Sequence, residues 1–550
     1  LNEPQKKPLT PVDHAGTVPL PHLLKQKIKD GVLAVSLANL CFVSAWLHPL
    51  SAANFGFFNN LPVNNATLLA LLTNILLLGA VFWLVMRAWR RWQNEGFHLV
   101  VHLLFWLMLL IPLEFFRAET HPKHSLTSLL HQPAGVFIAV VIVALILWKH
   151  RWVAKTAAIV VVIFSPLAVY VLARIILLFF GVIQLNAHQD TVALSPLSPV
   201  RAGQPRVVWI IFDEADYRMI YGQRPAGLKL PAFDRLLMDS LSADNAVSPA
   251  DATIFSMPSL ILGHRVTYAQ IVGSSNLLLQ FANTNLIYTN GFNSVSSGIY
   301  TNGTYWCSRL QSVFSNAREL GVNTAVVGWY LPYSRLFGKD LNYCSWYPFP
   351  NFEPARSETF GAAMLQQFGC LAGPLHAQQG YVHLYQQSLN ESLSLITNTT
   401  YGLMLFHLFP PHAPGIYLSD KNEFTIRDMS SVTGYFNNLA LADHTLAKLR
   451  LALEKSGEWD KTWIIVSADH SWRYSREYDG HRDYRVPFLV DPPGKTLPVT
   501  YSQPFNTAIT RKLIVAILQG QITNSTQAVA DWLKVNAHPR PTAQSNLIAP

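Results

Sequence analysis

Cysteine is scarce: four residues in 550, and no Cys-x-x-Cys pair anywhere. That excludes a cysteine-rich zinc module and a disulfide-stapled scaffold. Cys41 falls inside an apolar stretch; Cys307, Cys344 and Cys370 come later, with Cys307–Cys344 the expected bridge if the later region meets an oxidising compartment. An excess of basic charge is also missing where a nucleic-acid partner would need it. The chain carries +9, but residues 1–183 hold 14 Lys/Arg against 6 Asp/Glu, and everything after them is almost balanced. A nucleic-acid function therefore loses its main support. No internal repeat is visible.

Long apolar runs, by contrast, are abundant in the first third. Five stretches, 31–50, 66–86, 97–116, 134–148 and 157–183, read as membrane spans, the fourth of them short without its flanks. Lys25, Lys27 and Lys29 precede the first; Arg87, Arg90 and Arg91 follow the second; Lys149, Arg151 and Lys155 follow the fourth. The alternate loop 51–65 has no charge. By the positive-inside rule the N-terminus is cytoplasmic, and five spans place the rest on the far side. The first stretch begins late and is followed by four more, so it reads as an anchor rather than a cleaved signal peptide.

The expected organisation is a cytoplasmic tail 1–30, a transmembrane domain 31–183, an extended Pro-containing linker 184–206, a periplasmic catalytic domain 207–536 and an irregular tail 537–550. In 207–536, apolar strand-like runs at 207–212, 323–328, 401–406 and 463–467 alternate with helical patterns. Leu441, Leu446, Leu449 and Leu453 predict one face of a helix over 439–454. The alternation predicts an α/β fold with a mostly parallel central sheet sandwiched by helices, whose ligands bind beyond the carboxyl ends of the strands.

Those ends carry the chemistry. Val207–Phe212 runs into Asp213-Glu214, and Trp463–Ser467 runs through Ala468 into Asp469-His470. Between them Thr253-Ile-Phe-Ser256-Met-Pro258 offers a hydroxyl in a Pro-broken turn. Acid, hydroxyl and Asp-His in this order suit a metal-activated nucleophile. Each residue has a blander role: Asp469 as a helix cap, Glu214 as a helix-start acid, Thr253 as a turn hydroxyl with Ser256 competing for its place.

Taken together, the motifs resemble those of the alkaline phosphatase/sulfatase superfamily. With five spans in front, the chain resembles the membrane-bound lipid A phosphoethanolamine transferases and, more distantly, the lipoteichoic-acid-synthase-like phosphoglycerol transferases. The resemblance implies Glu214 (or its neighbour Asp213), Thr253, Asp469 and His470 as ligands of Zn²⁺ or Mn²⁺, with Thr253 the nucleophile. It further implies His407, His412 and His481 as ligands of a second divalent metal, as donors to phosphoryl oxygens, or as acids for the leaving group. His407, in an apolar run, equally suits a buried structural histidine. The implied activity transfers a phosphoethanolamine- or phosphoglycerol-type group from a membrane phospholipid to lipid A, a glycan or an envelope polymer, through phospho-Thr253. A hydrolase (phosphodiesterase) with the same site and a non-catalytic envelope assembly or binding protein are the alternatives. Two departures stand out: Phe212-Asp213 precedes Glu214 where the family has glycine, and Ser471-Trp472-Arg473 follows the Asp-His where the family has Gly-Glu.

Overall fold

The computed structural model describes residues 20–51, 57–58, 64–92, 95–120, 133–181, 194–200, 203–271, 275, 277–282, 287–288, 298–301, 304–307, 311–350, 359–372, 374–426 and 429–537. Helices occupy all five apolar stretches: α1 (Leu20–Cys41), α2 (Val43–Ser51), α3 (Asn65–Arg91), α4 (Glu95–Thr120), α5 (Pro133–Trp148), α6 (His150–Ile163) and α7 (Ser165–Phe179). Among the described residues the expected count of five spans is not reproduced. α3 and Glu95–Arg117 of α4 are each long and apolar enough to cross a membrane, and Ala154–Ile163 with Ser165–Phe179, bent by 43°, makes a third if the pair is one span. The first stretch breaks at Phe42, and α5 has 16 residues, about 24 Å at 1.5 Å per residue.

α1 is the hub of this bundle. Ala34, Leu37, Ala38 and Cys41 are fully or nearly buried, whereas Leu76, Leu77 and Leu84 of α3 and Leu107 and Leu113 of α4 point outward. The middle of α1 and the end of α3 meet through a two-pronged ion pair, Arg90 Nη2–Asp30 Oδ1 at 2.7 Å and Nε–Oδ2 at 2.9 Å. Arg151 pairs with Glu95. The basic residues that suggested an orientation thus collect at one end of the bundle.

The second domain is built on an eight-stranded sheet. Its strands are β1 (Arg206–Phe212), β2 (Leu241–Ala243), β3 (Thr324–Trp329), β4 (Tyr343–Tyr347), β5 (Leu403–Leu408), β6 (Thr462–Ser467), β7 (Phe488–Asp491) and β8 (Val499–Tyr501), in the order β4-β3-β5-β1-β6-β7-β2-β8. Only β7 runs against the rest. β1 shows why its sequence is a continuous apolar run. Val207, Trp209 and Ile211 enter the core on one face, with Met257 and Leu260, while Val208, Ile210 and Phe212 enter the core on the other, with Leu446 and Leu449. A strand buried on both faces has no polar side to alternate with.

Four further helices concern the site and its attachment: α8 (Thr253–Leu262), α9 (Phe360–Gly369), α10 (Pro374–Ile396) and α11 (Ser431–Ser456). α11 begins at Ser430, whose hydroxyl accepts from Thr433 N, and ends at Gly457 with φ 69°, a conformation glycine adopts freely. Of its four expected leucines, three pack on the sheet, whereas Leu441 joins a separate cluster with Trp329, Tyr381 and Phe409. The described part of the expected linker is not a free tether. Ser195 N donates to Leu341 O at 2.8 Å, Ser198 N to Asn323 Oδ1 at 2.7 Å, and Asn342 Nδ2 to Pro196 O at 2.7 Å. Cys344 is a free thiol; the side chain of Cys307, its expected partner, lies outside the described residues. Most of the expected tail, 538–550, lies outside them as well.

Candidate active site

Three adjacent parallel strands, β5, β1 and β6, bring the chemistry together. Ile211 of β1 is in register with His407 of β5 on one side and Ser467 of β6 on the other. Asp213, His407 and Asp469 therefore leave the sheet within a residue or two of one level, at its carboxyl edge. Each offers a ligand atom within 4.8 Å of the others, and all three are fully buried.

Thr253, the first residue of α8, points its hydroxyl into this cluster. Oγ1 donates to Asp469 Oδ2 at 2.8 Å and lies 3.5 Å from Asp213 Oδ2 and 3.5 Å from His470 Nε2. His470 Nε2 is 3.3 Å from Asp469 Oδ2 and 3.7 Å from Asp213 Oδ1. The backbone supports the arrangement: Asp469 Oδ1 accepts from the N–H groups of His470 at 2.8 Å and Glu214 at 3.2 Å. Glu214 adopts φ 66°, a left-handed conformation costly for a side-chain-bearing residue. Tyr435 Oη holds it there by donating to Glu214 O at 3.0 Å.

His407 is oriented by a residue that no sequence pattern marked. Tyr333 Oη meets its Nδ1 at 2.8 Å, leaving Nε2 to face Asp213 Oδ2 at 3.7 Å. The tyrosine ring lies directly over Gly328, where a Cβ would stand 2.3 Å from Tyr333 Cε2. The one available signal was positional: β3 ends beside β5 at the same carboxyl edge, so the residues following it belong to the site's neighbourhood.

Glu214 and His412 form a second layer, joined by Arg473. Arg473 Nε donates to Glu214 Oε1, and its Nη2 lies 2.8 Å from His412 Nε2. Arg473 is 36% exposed, so it forms the mouth of the site. Glu214 is thus the counter-ion of an arginine, and of the two adjacent acids it is Asp213 that joins the three-residue cluster. His481 is not brought in: its side chain is 81% exposed and bonds Asp479 O through Nδ1 at 2.8 Å. Ser256, the competing hydroxyl, is buried without a hydrogen-bond partner.

The electrostatics follow from dry, crowded carboxylates. Burial and then the neighbouring Asp469 push Asp213 up to about 7. Burial also works against Asp469, but His470, His407 and the Thr253 hydroxyl outweigh it, so the negative charge of the pair resides on Asp469. Burial lowers His407 to about 4, a neutral imidazole able to ligate. At Glu214 burial is overcome by His412, Arg473 and His470, which hold the carboxylate below its ordinary range.

A divalent cation fits these residues. Asp213 Oδ1 and His407 Nε2 are buried without any hydrogen-bond partner. Orphaned lone pairs of that kind cost about 1–3 kcal/mol each unless something pairs with them. Two carboxylates and an imidazole are a donor set that a divalent cation satisfies.

The sulfatase family model matches residues 205–514, more than half of the chain and all of the residues just described. No curated protein matches it. Among solved structures, the chain is similar to the sulfatase PsFucS1 from a Pseudoalteromonas species (12% identity, TM-score 0.40, covering 58% of this chain and 68% of that one). It is also similar to an alkaline phosphatase superfamily protein from Vibrio parahaemolyticus (13%, 0.37, 60% and 71%). A third is the phosphonate monoester hydrolase of Agrobacterium radiobacter (12%, 0.36, 57% and 74%). From strand β1 through the Asp-His turn and beyond, the chain belongs to the sulfatase family of the alkaline phosphatase/sulfatase superfamily.

Proposed function

We propose that the protein is a membrane-anchored, metal-dependent transferase in which Thr253 is the nucleophile. It takes a phosphoethanolamine- or phosphoglycerol-type group from a phospholipid and passes it to an acceptor hydroxyl on lipid A, a glycan or an envelope polymer. The observation that carries the reading is the Thr253 hydroxyl, buried at the first turn of α8 and hydrogen-bonded to Asp469 Oδ2 at 2.8 Å. A threonine that only stabilised a turn would have no reason to face two buried carboxylates and an imidazole.

Asp213, Asp469, His470 and His407 would hold Zn²⁺ or Mn²⁺. Such an ion, when bound, lowers the cost of the Thr253 alkoxide and of charge on the transferred group. The residues do the rest. Asp469 accepts the Thr253 proton as the new Oγ–P bond forms and the P–O bond to the diacylglycerol breaks. The N-terminal turn of α8, with no side-chain cap, favours negative charge on the group held by Thr253. Arg473 at the mouth donates to its outer oxygens; as Arg473 turns from His412 Nε2 to the transferred group, His412 is freed to carry a proton to the leaving alkoxide. An acceptor hydroxyl then attacks phosphorus and restores the threonine. His481 stays outside this scheme, as does a second metal. Placement in an inner membrane with the site on the periplasmic side is supported by Arg90, which lies at the far end of α3 from the Asn74 contact with the catalytic domain.

Intact-mass analysis with peptide mapping of the full chain, incubated with Zn²⁺ and a fluorescent phosphatidylethanolamine, tests the reading. The expected result is a mass gain on Thr253 that is absent in Thr253→Ala, with unchanged thermal unfolding of that variant. An adduct that persists in Thr253→Ala rejects the nucleophile. Multiple turnover without any acceptor assigns the protein to the hydrolases instead.

A further inference from the structure

Helix α9 and the turn after it, Cys370–Ala372, leave the catalytic domain and pack among the N-terminal helices. The attachment is specific. Gln367 is buried; its Nε2 donates to Thr67 O at 3.1 Å, and its Oε1 accepts from Asn74 Nδ2 at 2.9 Å. Asn74 Nδ2 also donates to Met364 O at 3.2 Å. Phe368 meets Phe42 edge-on, ring centroids 5.6 Å apart. Cys370 is buried in the cluster of Phe42, Val43 and Leu68, and Leu371 reaches the adjoining cluster of Leu37, Leu109 and Val161. Asn74 is nine residues into α3, about 14 Å along it at 1.5 Å per residue. That is near half of a hydrocarbon layer ~30 Å thick.

A helix held at that depth beside α3, itself long and apolar enough to cross a membrane, shares whatever surrounds α3. Its composition agrees. Phe-Gly-Ala-Ala-Met-Leu-Gln-Gln-Phe-Gly carries no charge. Its outward side presents Phe360 and Leu365, the latter 75% exposed, with Gln366 the one exposed polar side chain. Its buried polar residue is hydrogen-bonded through both atoms of its amide, as polar side chains inside a bilayer must be.

We propose that α9 and the turn after it are membrane-embedded. Phospholipid acyl chains of the leaflet next to the catalytic domain cover the outward face of α9, beside α3. The catalytic domain is therefore not suspended above the bilayer on a linker but keyed into it, with the mouth of its site at a fixed height and orientation. The inference depends on neither the metal nor the reaction, so its test is independent of the proposed activity.

The test uses the full wild-type chain in nanodiscs containing a phospholipid with a diazirine midway along one acyl chain, irradiated and then peptide-mapped. Adducts are expected on Phe360 and Leu365 as strongly as on Leu76 and Leu77 of α3, and not at Leu497, which is 82% exposed on the catalytic domain. Labelling of α3 with α9 left unlabelled would overturn the proposal. A membrane-impermeant maleimide on Leu365→Cys and Leu497→Cys supplies the complementary reading, with modification expected at position 497 and protection at 365. Equal modification of the two overturns lipid burial, and protection at 365 without lipid adducts assigns the face to a second copy of the chain instead.

Discussion

At the scale of single residues, burial sets the electrostatics as strongly outside the site as within it. Asp491, at the end of β7, is pushed up to about 8 by burial and then by Asp239, with Arg450 only partly opposing. A carboxyl raised above its unfolded value binds a proton in the folded chain where the unfolded chain does not. It therefore lowers stability as pH rises through the window from about 4 to about 8. Asp491→Asn removes a charge the fold resists, so it should stabilise the protein by about 2 kcal/mol at pH 9 and have little effect at pH 4. Thermal unfolding at the two pH values checks both parts; an equal effect at both would show that the carboxylate's contacts matter more than its charge. His407 has the opposite sign. Lowered to about 4 by burial, it adds stability as pH rises from about 4 to its ordinary value near 6.5.

At the scale of elements, the site depends on strand register and on one close approach between strand and turn. The shared level of Ile211, His407 and Ser467 puts three ligating groups at one sheet edge; a slip by one residue in either neighbour would turn its side chains to the opposite face. Gly328, within β3, leaves the space into which the Tyr333 ring fits. Gly328→Ala should displace the ring and cost about 1–3 kcal/mol through overpacking. It should also weaken metal binding about 10- to 100-fold by freeing His407 from its orienting partner. Zn²⁺ titration of Gly328→Ala beside Tyr333→Phe separates the two effects. The phenylalanine variant keeps the packing and loses only the hydrogen bond, so a loss of affinity confined to the alanine variant would make Tyr333 a packing residue.

At the scale of the whole molecule, the anchor and the catalytic domain share side chains. Phe57, from the stretch between α2 and α3, is fully buried in the catalytic core with Tyr333, Leu336 and Phe337. Arg335 Nη1 donates to Phe57 O at 3.4 Å. Phe58 sets its ring 4.9 Å from that of Tyr330, which follows β3 at the edge of the site with φ 70°. Phe57→Ala should cost about 3–5 kcal/mol, as a buried phenylalanine does, and lower the unfolding temperature of the catalytic domain by several degrees. Tryptophan fluorescence on heating the detergent-solubilised chain reads this directly. A fragment beginning at residue 194 should show a similar loss, because it lacks the same side chain; a fragment as stable as the full chain would make the contact incidental.

The sequence alone was enough for the parts governed by local physics. Period and run length marked the strands carrying Asp213 and Asp469 and the helix ending at Ser456, because a strand buried on both faces must be apolar throughout and a surface helix must repeat. Charge and run length marked the helical N-terminal region. The motif order Asp-Glu, Thr-x-x-Ser-x-Pro and Asp-His marked the family, because those residues must fall at strand ends or a helix start to do chemistry. Tertiary structure decided the rest. Which of two adjacent acids joins the cluster depends on a left-handed Glu214 and on an arginine 259 positions further on. Whether a histidine belongs to the site depends on a loop's path, which brings His412 to the mouth and leaves His481 in solvent. The keying of α9 into the anchor rests on an Asn–Gln pair 293 residues apart. Contacts between residues so distant leave no period, run or spacing in the chain, and only folding creates them.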